Sequence, residues 1–232
     1  MATSNTKVFL SERLNKQIQA WCGVNSLLYT DGNLNWTPAP VSPLPKFLPR
    51  KHYDYLTKIQ PIWNKLMDRV ARNREFITKE LEFVAKADPF TDRLLRIYDG
   101  VPEDVLQNSH QLGIFRSDYM IDEHYDAPLQ IEINTVSSGF ACLSQKIGNL
   151  QNYLLTRNKH DHELINIGRE IYDIPAHDHF ELPHSVEESQ SLQKVAAAMA
   201  LAHNTYHQKT AVILFIVQPF EKNVTSSLHV SS

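Results

Sequence analysis

From Leu129 to Thr135 the chain alternates strictly: Leu129, Ile131 and Ile133 fall on one parity, Gln130, Glu132 and Asn134 on the other. Period two is the signature of a strand with one apolar and one polar face, and no helix can use it. A second strand-like run, LGIFRSDYMI, occupies 112–121, and the turn-rich DEHYDAP joins the two. The pair therefore reads as a hairpin. Glu132 and Asn134 project to one side of it, with Arg116 on the neighbouring strand.

Around this hairpin the periodicity is helical. Leu10, Leu14, Ile18, Trp21, Val24 and Leu28 recur every three or four residues, marking an amphipathic helix within 8–28. Five prolines between Pro38 and Pro49 enforce an extended loop. Leu56, Ile59, Ile62, Trp63, Leu66 and Val70 resume helical spacing, with Pro61 predicting a kink or a late start. Residues 74–86 continue as helix. Asp88 followed by Pro89 predicts an N-cap and first helical position. Further helices are expected over 143–156 and 162–172. A capping box at Ser185 and Glu188 should open a long helix to about 206. Trp21, Trp36 and Trp63 are expected in the core.

Ala211 to Val217, AVILFIV, is unbroken apolar sequence, as in a strand buried on both faces of a parallel sheet. The fold class expected is thus mixed, α+β passing into α/β: a helical N-terminal region, a strand pair, then the truncated start of a parallel α/β domain. The division falls at 1–205 and 206–232. A lone buried strand cannot satisfy its own ladder, so the second part reads as begun and unfinished.

A net charge of −3 gives no electrostatic footprint for nucleic acid, and no basic cluster marks a membrane surface. The polar N-terminus lacks a signal-peptide core, and the longest apolar run is too short to span a bilayer. Cys22 and Cys142 are too few for a disulfide framework and read as free thiols in a reducing compartment. Together these point to a cytoplasmic protein. His160, His162, His177, His179 and His184 could ligate a transition metal, but no cysteine or ordered scaffold accompanies them, and a polar surface loop is the simpler reading.

Chemistry concentrates between Phe115 and Ser144. A carboxylate (Glu132) and an amide oxygen (Asn134) are hard donors suited to Mg²⁺ held jointly with phosphates. Val136, Ser137, Ser138 and Gly139 form a small, hydroxyl-rich turn whose backbone N–H groups are open to an anion. Arg116 offers a planar fork to a carboxylate. By residue chemistry alone, a solvated polar strand face with a Ser-rich turn remains an alternative.

FRSDYMID followed by LQIEINTVSSGFACLS resembles the substrate- and metal-binding stretch of the eukaryotic glutathione synthetases. DPFTDRLLRIYD, AAAMALAHNTY and AVILFIVQPFEKNV extend the resemblance through about residue 224. It implies an ATP-grasp ligase that joins glycine to γ-glutamylcysteine through an acyl phosphate, as a cytoplasmic homodimer using ATP and Mg²⁺. Residue by residue it implies metal ligation by Glu132 and Asn134 and ATP contact by Glu132. Substrate binding falls to Arg116, Val136, Ser137, Ser138, Gly139 and Glu221. Two departures stand out. Gly139 replaces a serine of the family, and after Val224 the chain reads TSSLHVSS, with Ser227 in place of a substrate-binding glutamine. The family's Gly-rich loop and phosphate-holding lysines have no counterpart, so the expectation is a weakly active or inactive ligase. The alternative is a non-catalytic dimerisation partner or regulator of a full-length synthetase.

Overall fold

The computed structural model describes residues 10–30, 35–122, 124–136 and 138–216. Eight helices and two antiparallel strand pairs make up the described residues, a mixed α/β architecture. They divide into two compact units.

The first unit contains residues up to Phe47, then 139–197 and the chain from Ile213. Its first helix, α1 (Glu12–Val24), starts where the Ser11 hydroxyl accepts the Leu14 N–H and buries Leu14 and Ile18 of the expected stripe together with Cys22, whereas Val24 is exposed and Leu28 lies beyond the helix. Strands β1 (Leu28–Thr30) and β2 (Trp36–Pro38) pair antiparallel. Trp36 is exposed there rather than in the core, because a three-residue edge strand has no sheet to cover it. The proline loop follows and contributes Leu44 to the core. Residues 139–197 supply α6 (Ala141–Arg157) and α7 (His162–Ile171). Leu150, Leu154, Leu155, Leu164 and Ile167 meet Leu14, Ile18, Leu27 and Leu182 in one cluster. Each such side chain contributes about 1.5–3 kcal/mol by leaving water.

The Ser185–Glu188 capping box is not used. Residues 179–190 form no helix, and α8 runs only over Ser191–Thr205. The reason is tertiary. The Asn152 side chain accepts the Val186 N–H at 2.6 Å and donates to the Val186 carbonyl at 3.1 Å, holding that segment out of helix. The Leu192 N–H at the start of α8 is accepted by Gln145 Oε1.

The second unit comprises 48–138 and 198–212. Helix α2 (Arg50–Arg72) begins directly after Pro49 and passes through Pro61, so no late start occurs. One missing N–H among 23 residues is outweighed by propagation on both sides. Leu56, Ile59, Trp63 and Val70 are half-buried, while Ile62 and Leu66 are exposed. Helix α3 (Arg74–Ala87) is capped by Asn73, and α4 (Pro89–Asp99) by Asp88, whose carboxylate accepts the Phe90 and Thr91 N–H groups. A short helix the sequence pattern did not announce, α5 (Glu103–Asn108), follows. Two guanidiniums satisfy backbone carbonyls near helix ends: Arg74 donates to Tyr98 and Val101, and Arg72 to Leu106, Gln107 and Ser109.

The hairpin expected from the alternation is present, as β3 (Arg116–Asp122) and β4 (Ala127–Asn134). It contains an irregularity the sequence did not reveal. Asp118 faces Glu132, but Tyr119 faces Gln130, so Ile131 is an extra residue on β4. This bulge changes the face alternation. Gln130 pairs with Tyr119 and its amide nitrogen is buried, whereas Leu129 and Ile131 are exposed. At the turn Asp126 takes a left-handed backbone, φ 44°, and pairs with Lys51 and His52 of α2.

The run Ala211–Ile216 forms no strand, and Val212, Leu214 and Ile216 are 84, 79 and 92% exposed. That corrects the expectation of a doubly buried strand. Apolar sequence forms a parallel ladder only beside other strands, and none pairs with it among the described residues.

Candidate functional site

The site lies on the β3–β4 hairpin, beyond the bulge. Directly opposed strand residues share a face. The register sets Arg116 opposite Asn134 and Asp118 opposite Glu132, which places a cation, two carboxylates and an amide in one cross-strand square. Arg116 Nε donates to Asp118 Oδ1 at 2.8 Å and Nη2 to Oδ2 at 2.9 Å, a two-pronged ion pair. Asn134 Nδ2 donates to Glu132 Oε1 at 3.1 Å, to Asp118 Oδ2 at 3.2 Å and to the Arg116 carbonyl at 3.4 Å.

The Arg116 hydrogen bonds, helped by Asn134 and Glu132, hold the Asp118 carboxyl below its ordinary range. Its carboxylate raises Arg116 in turn. Both partners are more than a third exposed, so the pair fixes geometry and contributes little to stability.

The predicted residues are brought together unevenly. Arg116, Glu132 and Asn134 form the square. After Asn134 the chain turns, and the Ser138 hydroxyl donates to the Asn134 carbonyl at 2.9 Å, closing the loop that carries Val136. Val136 is exposed. Gly139 begins the second stretch of the first unit, just before Phe140. Ser137 and Glu221 lie outside the described residues. Asp118 was missed by the sequence reading. The available signal was an acidic residue two positions after Arg116 on the same strand, which puts both on one face.

Glu132 and Asn134 suit a hard divalent cation. The amide nitrogen of Asn134 is committed to two carboxylates and a carbonyl, which leaves Oδ1 as its available donor atom beside the Glu132 carboxylate. Among the described residues, the hairpin included, no group of three or more His, Cys, Asp or Glu is placed to hold a metal by itself. His177 and His179 sit near Asp178 and Glu181 instead. Cys22 and Cys142 are both buried and are not joined in a disulfide. No helix among the described residues is long and apolar enough to cross a membrane.

The hairpin thus sets a guanidinium beside a carboxylate and an amide oxygen, groups whose chemistry suits anions and hard cations respectively. The particular family follows from comparison. The model of the eukaryotic glutathione synthase ATP-binding domain matches residues 10–224, and the chain belongs to that family. It is 34% identical over 224 residues to a chloroplastic glutathione synthetase of Solanum lycopersicum, covering 93% of this chain and 38% of that protein. It is 31% identical over 196 residues to a glutathione synthetase of Dictyostelium discoideum, covering 82% of this chain and 37% of the relative. Against the Homo sapiens glutathione synthetase the identity is 28% over 189 residues, with coverage of 80 and 36%. The chain thus spans little more than a third of the length of these relatives.

Proposed function

We propose that this chain serves glutathione synthesis as part of an ATP-grasp ligase that joins glycine to γ-glutamylcysteine at the expense of ATP. The observation that carries the reading is the cross-strand square of Arg116, Asp118, Glu132 and Asn134 on a hairpin inside the family match.

In this reading the Arg116 guanidinium receives a carboxylate of the dipeptide, and the turn formed by Val136, Ser137, Ser138 and Gly139 offers backbone N–H groups to the same substrate. Glu132 and Asn134 hold Mg²⁺ by their side-chain oxygens, with Glu132 close to the nucleotide, and Glu221 adds a second substrate-facing carboxylate. Bound there, Mg²⁺ would neutralise phosphate charge as the dipeptide carboxylate approaches ATP. The carboxylate oxygen attacks the γ-phosphorus and ADP leaves. The glycine amine then displaces phosphate from the acyl carbon and gives up a proton. Arg116 orients the first attack and offsets the repulsion between two anions. Residues 206–232 belong to the opening of the substrate-binding domain, and the compartment is cytoplasmic, in keeping with two cysteines not joined in a disulfide.

Calorimetric titration of the chain with γ-glutamylcysteine, and with ATP in the presence and absence of Mg²⁺, tests this. Binding of the dipeptide that is lost in Arg116→Ala, and Mg²⁺-dependent ATP binding lost in Glu132→Ala, are expected. A folded wild type that binds neither ligand overturns the reading.

A second reading makes the chain a partner of a longer synthetase, in keeping with the homodimer proposed for the family. It is favoured by the apolar surface left on α3 and α4, where Phe83, Phe90 and Ile97 are largely exposed. Co-purification of tagged chain with a full-length synthetase supports it. A chain that releases ADP only with both dipeptide and glycine, and never co-purifies, sinks it.

A further inference from the structure

The hairpin site is organised around a residue that neither the motif nor the family comparison assigns. We propose that Asp118 is a positioning residue: it fixes the Arg116 fork for the substrate carboxylate and turns the Asn134 amide so that its oxygen, not its nitrogen, meets the cation. The proposal rests on the reading of the hairpin as the dipeptide and metal site of a synthetase.

Arg116 uses one edge of its guanidinium, Nε and Nη2, on the two oxygens of Asp118. The other edge, carrying Nη1 and the outer Nη2 hydrogen, is left for a second carboxylate in the geometry guanidinium prefers. A long, flexible side chain thereby arrives with its orientation already set, and less freedom is lost when substrate binds. Asn134 is governed by the same carboxylate. Its Nδ2 donates to Asp118 and Glu132 together. A flipped amide would set Oδ1 against two anions, so the oxygen is held toward the open side. The charges also balance usefully. Arg116 offsets one of the two carboxylates, and the square keeps one net negative charge for a cation.

The opposite role is equally concrete: Asp118 could occupy Arg116 as an internal competitor of substrate. The two predict opposite signs. The test uses the 232-residue chain as wild type, Asp118→Asn and Asp118→Glu, with Arg116→Lys to assign the signal. Proton exchange at Arg116 Nε, read by ¹⁵N NMR without ligand, should quicken in Asp118→Asn and slow again in Asp118→Glu. Titrations with γ-glutamylcysteine and with Mn²⁺ as the metal probe should each weaken about tenfold or more in Asp118→Asn, the usual scale for groups that orient a ligand-binding side chain, and recover in part in Asp118→Glu.

Unchanged Arg116 exchange overturns the proposal. So does dipeptide binding in Asp118→Asn that equals or exceeds the wild type, the latter establishing the competitor. A wild type that takes neither dipeptide nor Mn²⁺ removes the functional reading and this proposal together. That failure is distinct, because the wild-type titration alone reveals it.

Discussion

Phe140 sits in the left-handed region, φ 74°, immediately before α6, and its ring is more than half exposed. A bulky side chain there is strained by contact between Cβ and the following carbonyl, while glycine is not. Phe140→Gly is expected to raise unfolding stability by about 1 kcal/mol, because little apolar burial is lost with the ring. A lower urea midpoint would show that the ring packs more tightly than its exposure indicates. Leu154 is the contrasting case. It has no exposed surface and sits among Leu14, Leu150 and Leu164. Leu154→Ala should cost about 2–5 kcal/mol, measured by the same denaturation, since close-packed neighbours collapse only partly into the cavity. At this scale the sequence announced the Asp88 cap, an act of a residue on its own chain neighbours, although the equally local Ser185–Glu188 signature was overridden. Ser11 and Asn73 likewise cap the helices that start beside them, though the sequence reading singled out neither. It was silent where partners come from far away. Asp126 meets Lys51 and His52 across more than seventy residues, and no local pattern announces that.

Among the elements, α2 makes the clearest demand. Pro61 is exposed within a continuous 23-residue helix and denies the Thr57 carbonyl its N–H partner. Pro61→Ala should therefore stabilise the second unit by on the order of 1–3 kcal/mol in chemical denaturation. A loss instead would mean that the local geometry proline imposes is needed for α2 to pack against β4. The Ala211–Ile216 run makes a different demand. Its apolar side chains face water, and an apolar extended segment without ladder partners invites pairing with another copy. Leu214→Lys is expected to lower light scattering of the concentrated chain while leaving its helical circular dichroism unchanged. Equal scattering in both proteins would place the aggregation-prone surface elsewhere. The β-bulge explains why the alternation 129–135 gave the hairpin correctly and its faces incompletely. Period two identifies a strand, but an extra residue in one strand is decided by what packs on each face.

At the scale of the molecule, acid is the informative variable. Asp126 is held below its ordinary range first by Lys51, Asp118 first by Arg116, Glu163 first by Ser11, and Asp88 first by Thr91. All four are lower in the folded state than in the unfolded chain. Each therefore stabilises the fold fully above the unfolded carboxyl values, about 4, and that stabilisation is lost as pH falls through the lower folded values. Urea midpoints should be level from pH 7 to about 5 and decline below about 4. Asp126→Asn should remove part of the decline. Midpoints that stay level into strong acid would mean these exposed pairs add nothing.

The sequence by itself determined the main helices of the first hundred residues, the hairpin, the placement of Arg116, Glu132 and Asn134 about it, and the family, but not the short β1–β2 pair. Periodicity, caps and motif order are properties of neighbouring residues, and neighbours are what a sequence displays. Tertiary structure alone decided the bulge at Ile131, the use of Asn152 to keep Val186 out of a helix, the exposure of Trp36 and of the Ala211 run, and the place of Asp118 at the centre of the site. Each of these depends on which distant groups compete for the same hydrogen bond or the same apolar surface, and that competition is settled only when the chain has folded.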